Sequence, residues 1–70
     1  MNATVDIRVN GEFRAVAPGL TLLELLRVLG LDPRTVVVEH NRRIVRRPGL
    51  GEVSVAAGDA IELVHFVGGG

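Results

Sequence analysis

From Thr4 to Val9 the chain alternates polar and apolar residues, and Val5, Ile7 and Val9 fall on one face. A period of two is that of a half-buried strand. Asn10-Gly11 follows. A two-residue type I′ hairpin turn needs positive φ at both central positions, and this dipeptide tolerates it best. Glu12 to Val16 is therefore the predicted returning strand, and Ala17-Pro18-Gly19 breaks it. The period then changes. Leu22, Leu25, Leu26 and Leu29 stand at i, i+3, i+4 and i+7, the spacing of one helical face. Thr21 and Glu24 match a capping box at the start of this helix. Gly30 is placed to close it, and Asp32-Pro33 begins a turn.

The second half returns to strand signals. Val36, Val37 and Val38 form a β-branched run with Glu39 and His40. Asn41-Arg42 is a turn candidate, and Arg43 to Arg46 is a short strand around Ile44 and Val45. Pro48-Gly49-Leu50-Gly51 reads as loop, and Val53 and Val55 sit on alternate positions. Ala57-Gly58-Asp59 turns the chain into a final strand, Ala60 to Val67, before three glycines. A lone amphipathic helix buries its leucines only by packing on a sheet. As a crossover, it lets the final strand lie parallel to the first. The predicted fold is α+β, a β-grasp (ubiquitin-like) arrangement: a mixed sheet of four to five strands with one amphipathic helix across one face. The β-grasp domain is expected at 1–67, with a flexible glycine tail at 68–70.

Composition narrows the chemistry. A chain of 70 residues makes one domain, and its core supplies no more than about 3–5 kcal/mol of net stability. There is no cysteine, so disulfides and thiolate metal sites are excluded. Phe13 and Phe66 are the only aromatics, so the core must be almost wholly aliphatic. Net charge is zero, and all eight basic residues are arginine. Arg42, Arg43, Arg46 and Arg47 form the one basic cluster. A nucleic-acid surface would want a broader patch with interleaved aromatics, so no nucleic-acid partner is expected. The apolar stretch from Leu20 to Leu31 is interrupted by Thr21, Glu24 and Arg27 and is too short to span a bilayer. A cytoplasmic protein without membrane contact is the expectation.

The sequence does not read as an enzyme. His40 and His65 are the only histidines, and no phosphate loop or framed carboxylate dyad is present. No catalytic residue and no metal ligand is assigned. His65 shares the phase of Ile61 and Leu63, so it is expected to face the core. Asp59 is expected to be solvated or turn-forming. On the opposite phase, Glu62, Val64 and Phe66 are expected to face outward. Val64 and Phe66 would then form an apolar patch beside the tail, and such a patch marks an interaction site. The glycines follow a strong strand with no linker composition. With no Cβ near the reacting carbonyl, a glycine carboxylate can thread a narrow channel as extended backbone.

Two stretches carry a family resemblance. One runs from Val9-Asn10-Gly11-Glu12 through Thr21 to Leu26, and the other is Gly58-Asp59-Ala60-Ile61-Glu62-Leu63-Val64-His65-Phe66-Val67-Gly68-Gly69-Gly70. Together they resemble the ThiS family, the sulfur carriers of thiamin thiazole biosynthesis, over essentially the whole chain. The resemblance implies that a ThiF-like adenylating enzyme, using ATP, joins the Gly70 carboxylate to AMP. A sulfur donor protein then displaces AMP to leave a thiocarboxylate, whose sulfur passes to a ThiG-like thiazole synthase. Gly68 and Gly69 would thread into the partner, and Glu62, Val64 and Phe66 would bind it. The carrier itself would hold no cofactor. The family pattern needs two glycines and this chain has three, so Gly68 is the least secure of them. Carriers for molybdopterin or tRNA thiolation share this ending, as do covalent protein modifiers joined to target lysines.

Overall fold

The computed structural model describes residues 3–66. Five strands and one helix follow in chain order: β1 (Val5–Val9), β2 (Glu12–Val16), α1 (Leu22–Val28), β3 (Val36–His40), β4 (Arg43–Val45) and β5 (Ala60–His65). Two 3-10 turns, Pro33–Thr35 and Arg47–Gly49, lie before β3 and after β4. The sheet order is β2-β1-β5-β3-β4. β5 runs parallel to β1 and antiparallel to β3, so the sheet is mixed and the last strand lies at its centre. This is the β-grasp arrangement that the sequence predicts.

The local signals work as their chemistry requires. Asn10 and Gly11 both hold positive φ, 52° and 83°, and bring β1 and β2 into an antiparallel pair from Val5↔Val16 to Val9↔Glu12. The Thr21 hydroxyl accepts from the Glu24 N–H, and the Glu24 carboxylate accepts from the Thr21 N–H, at 3.1 and 2.9 Å. At the other end of α1 the Gly30 N–H donates to the Arg27 carbonyl and the Leu31 N–H to that of Leu26. These two bonds form a Schellman closure, for which Gly30 supplies φ 74°.

Leu22, Leu25 and Leu26 are buried against Ile7, Val36, Val38, Ile61 and Leu63 of the sheet. Each such burial contributes about 1.5–3 kcal/mol. Phe13 and Phe66 are 73% and 58% exposed, so the core holds no aromatic ring.

Residues 48–51 are loop, as expected, entered through the 3-10 turn Arg47–Gly49, yet Leu50 is 2% exposed and belongs to the core, with its carbonyl accepting from Leu23 N–H. Three expectations need correction. Val53 and Val55 lie in no strand; the segment makes only an isolated bridge, Ser54 to Thr21. β4 stops at Val45 and β5 at His65, each short of its predicted end. His65, expected in the core, is exposed. It stands opposite Val36 at the last position of β5. A seven-residue helix is about 10 Å long, whereas six strand residues extend about 20 Å, so α1 cannot cover that end.

Candidate functional site

The strand that precedes the glycines in sequence, β5, is the central one, and it is secured on both sides. On the β1 side, the Arg8 N–H donates to the Asp59 carbonyl and the Asn10 N–H to that of Ile61, both at 2.9 Å. Beyond the end of β1, the Asn10 side chain continues the ladder, its Oδ1 accepting from Leu63 N–H at 2.7 Å. On the β3 side, the register runs from Val36↔His65 to His40↔Ile61. The last described bond is from Phe66 N–H to the Thr35 carbonyl, at 2.9 Å. The backbone is therefore tied down to within four residues of Gly70. Val67 and the three glycines, including the Gly70 carboxylate, lie outside the described residues.

A polar cluster anchors the start of the same strand. Asp59 was expected in solvent or in a turn. It lies in the turn, but it is only 9% exposed. Its Oδ2 accepts from the Ala56 N–H at 2.8 Å and stands 2.7 Å from His40 Nε2. Its Oδ1 accepts from Asn41 Nδ2 at 3.1 Å. An ionised carboxylate only accepts, so His40 Nε2 carries the hydrogen of this contact. Burial pushes the Asp59 carboxyl up, but the Ala56 N–H, His40 and Asn41 outweigh it and hold the group below the usual carboxylate range. Asn41 completes the brace by pairing with the Ala60 backbone: its N–H donates to the carbonyl and its Oδ1 accepts from the N–H.

The open face of the sheet bears the residues expected to meet a partner. Glu62, Val64 and Phe66 are all exposed, Val64 and Phe66 at 58% each. The register brings in neighbours that were not singled out from the sequence. Val37 is directly opposite Val64, and Glu39 is directly opposite Glu62 and Ile44. Ile44 is 66% exposed. Among the described residues the ion pairs are Arg34–Asp32 and His40–Asp59, so neither carboxylate of the Glu39–Glu62 pair is matched by a cation. Val37 and Ile44 were legible only as members of strands, because which strands adjoin β5 is set by topology. At the far edge of this face Arg8 lies over the Phe13 ring, 4.8 Å from its centroid.

Among the described residues no group of histidines and carboxylates is arranged to hold a metal ion, and no helix is long and apolar enough to cross a membrane. What this geometry offers is a firmly based central strand and an exposed apolar and acidic face beside its end.

The model of the ThiS family matches residues 7–70. The chain belongs to the ThiS family. It is 42% identical over 50 residues to the sulfur carrier protein ThiS of Bacillus subtilis, covering 71% of this chain and 76% of that one. It is 45% identical over 66 residues to a thiazole synthase of Magnetococcus marinus, which covers 94% of this chain but only 20% of that protein. A thiazole synthase of Paramagnetospirillum magneticum matches similarly, 44% over 62 residues, 89% of this chain and 19% of that one. The chain thus spans about a fifth of the length of these two relatives. Among solved structures, the thiamine biosynthesis protein ThiS of Geobacter metallireducens superposes with a TM-score of 0.83 at 35% identity, covering 94% of this chain and all of that one. A designed protein based on human erythrocytic ubiquitin superposes over all of this chain and 98% of its own, with a TM-score of 0.53 at 28% identity. The ubiquitin-like ThiS fold therefore agrees with the sheet order and the single helix.

Proposed function

We propose that this ThiS-family chain is the sulfur carrier for thiamin thiazole synthesis, working in the cytoplasm through the carboxylate of Gly70. The observation that carries the reading is the family match, which runs through the glycine ending to Gly70. The chain is a protein cosubstrate rather than an enzyme, and its partners supply the catalytic groups. On an adenylating enzyme, a Gly70 carboxylate oxygen attacks the α-phosphorus of ATP and pyrophosphate leaves. A donor delivering sulfur at the level of hydrosulfide then adds to the acyl carbon and expels AMP. The product is a thiocarboxylate, whose sulfur a thiazole synthase consumes. Gly68 and Gly69 carry no Cβ and let the terminus enter a narrow channel as extended backbone. Glu62, Val64 and Phe66 form the exposed ground beside the tail on which those enzymes settle.

Two measurements test this. In cells the intact chain should gain about sixteen mass units when oxygen is replaced by sulfur; Met1 oxidation gives a similar shift, so fragmentation must place the gain at Gly70. An alanine added after Gly70 shifts the carboxylate by about 3.3–3.6 Å and adds a Cβ. It should abolish ATP–pyrophosphate exchange with the adenylating enzyme while leaving the melting temperature unchanged. Normal exchange by the extended chain would refute the terminal-carboxylate mechanism.

A further inference from the structure

The tail chemistry proposed above leaves the four-arginine cluster of the sequence unused, and the structure divides it. β4 is an edge strand, and after Val45 the chain turns away through Arg46 and Arg47. The 3-10 turn at Pro33–Thr35 approaches from the other side. Between them lies an open groove of about 550 Å³, with Val37 and Ile44 among its apolar residues and Phe66 at the root of the tail. Arg34, Arg46 and Arg47 line it, and among the described residues no carboxylate does.

These arginines are not equivalent. Arg34 is committed, with its Nη2 2.9 Å from Asp32 Oδ2 and its Nε on the same carboxylate. Asp32 feels Arg47 through space, but its side-chain hydrogen bonds go to Arg34. Arg46 and Arg47 are exposed and have no ion-pair partner among the described residues. Two free guanidiniums beside an aliphatic surface define the chemistry of an occupant. Carboxylates suit the arginines, since the planar fork matches them bidentately. An apolar side chain suits Val37 and Ile44, which a small anion would leave uncovered. A nucleic acid would want several stacking rings, and Phe66 is the only one here.

We propose that this groove receives an acidic, apolar-anchored segment of the enzyme that adenylates the tail, with its carboxylates on Arg46 and Arg47 and its apolar side chain on Val37 and Ile44. The identity of the partner rests on the carrier function proposed above. Phe66 lines the groove and stands four residues before Gly70 in the chain, so one enzyme can grip both. Charges at the rim of an interface act mainly on encounter and on salt dependence.

The test is the affinity of the full chain for the adenylating enzyme at low and high salt, with wild type compared with R46E/R47E. R46Q/R47Q serves if the double reversal unfolds, and Arg27→Glu on α1 is the control. Affinity should fall by about tenfold or more at low salt, and its salt dependence should shrink, while Arg27→Glu changes neither. Unchanged affinity in a folded double variant overturns the groove and leaves the carrier function standing. A wild-type chain that neither binds nor is adenylated overturns the carrier function and this partner with it. If the double variant instead loses binding to a single-stranded oligonucleotide while holding the enzyme as before, the arginines serve nucleic acid and the proposal fails.

Discussion

Glu39 and Glu62 stand directly opposite each other across the β3–β5 pairing, on the face of the sheet that no helix covers. Like charges in this relation oppose pairing, and no cation among the described residues relieves them. Glu62→Gln should therefore stabilise the free protein by about 0.2–1 kcal/mol in urea denaturation. The same variant should bind the proposed enzyme partners less well. A loss of stability would mean that Glu62 has a favourable role within the fold.

Phe66→Ala likewise separates docking from folding. The ring is 58% exposed and lies outside the core. Stability should change by no more than about 0.5 kcal/mol, whereas an aromatic anchor lost from an interface costs about 2 kcal/mol or more of binding. Thermal melting and affinity measured on one preparation check both. A collapsed melting temperature with unaltered binding would assign Phe66 to the fold alone.

Asp59→Ala should destabilise the domain by about 1–3 kcal/mol, because it strips partners from the Ala56 N–H, Asn41 and His40. The pH dependence has a definite sign. The folded Asp59 carboxyl lies below its ordinary value of 3.8. Its contribution is therefore present above the unfolded value and is lost as pH falls through the folded one. Wild type should lose its advantage over the variant below pH ~4. Urea midpoints across the acid range give the comparison, and a constant difference would exclude linkage through Asp59.

Leu50→Ala should cost about 2–5 kcal/mol, the range for a buried leucine. Leu50 comes from the 47–50 turn rather than from a strand or the helix, yet it is 2% exposed. Urea denaturation showing less than about half a kcal/mol would place that segment off the core.

The contrast between Leu26 and Leu50 marks what was legible in the sequence. Leu26 belongs to a helical period and is capped by its own neighbours, so local spacing gives its burial. Leu50 follows no period; only the path from β4 to β5 brings it under α1 and into contact with the core. Asp59 is similar, since its hydrogen-bonding partners His40 and Asn41 lie 19 and 18 residues away. The alternation of β5 assigns Glu62, Val64 and Phe66 to the open face. Glu39, Val37 and Ile44 join them only through strand order. The phase of His65 is right, but exposure at that end depends on the length of α1. Arg46 and Arg47 read as part of an undivided cluster until the two 3-10 turns converge on one groove.

The aliphatic hydrophobic core makes this protein optically quiet where folding is usually watched. There is no tryptophan or tyrosine, and both phenylalanine rings stand outside the core. Near-ultraviolet signals consequently carry almost no information about core packing, and unfolding has to be followed through the backbone. The same arrangement turns Phe66 into a clean local reporter. A ring-deuterated or fluorinated phenylalanine there would sense an arriving partner at the root of the tail, against a core that contributes no aromatic background.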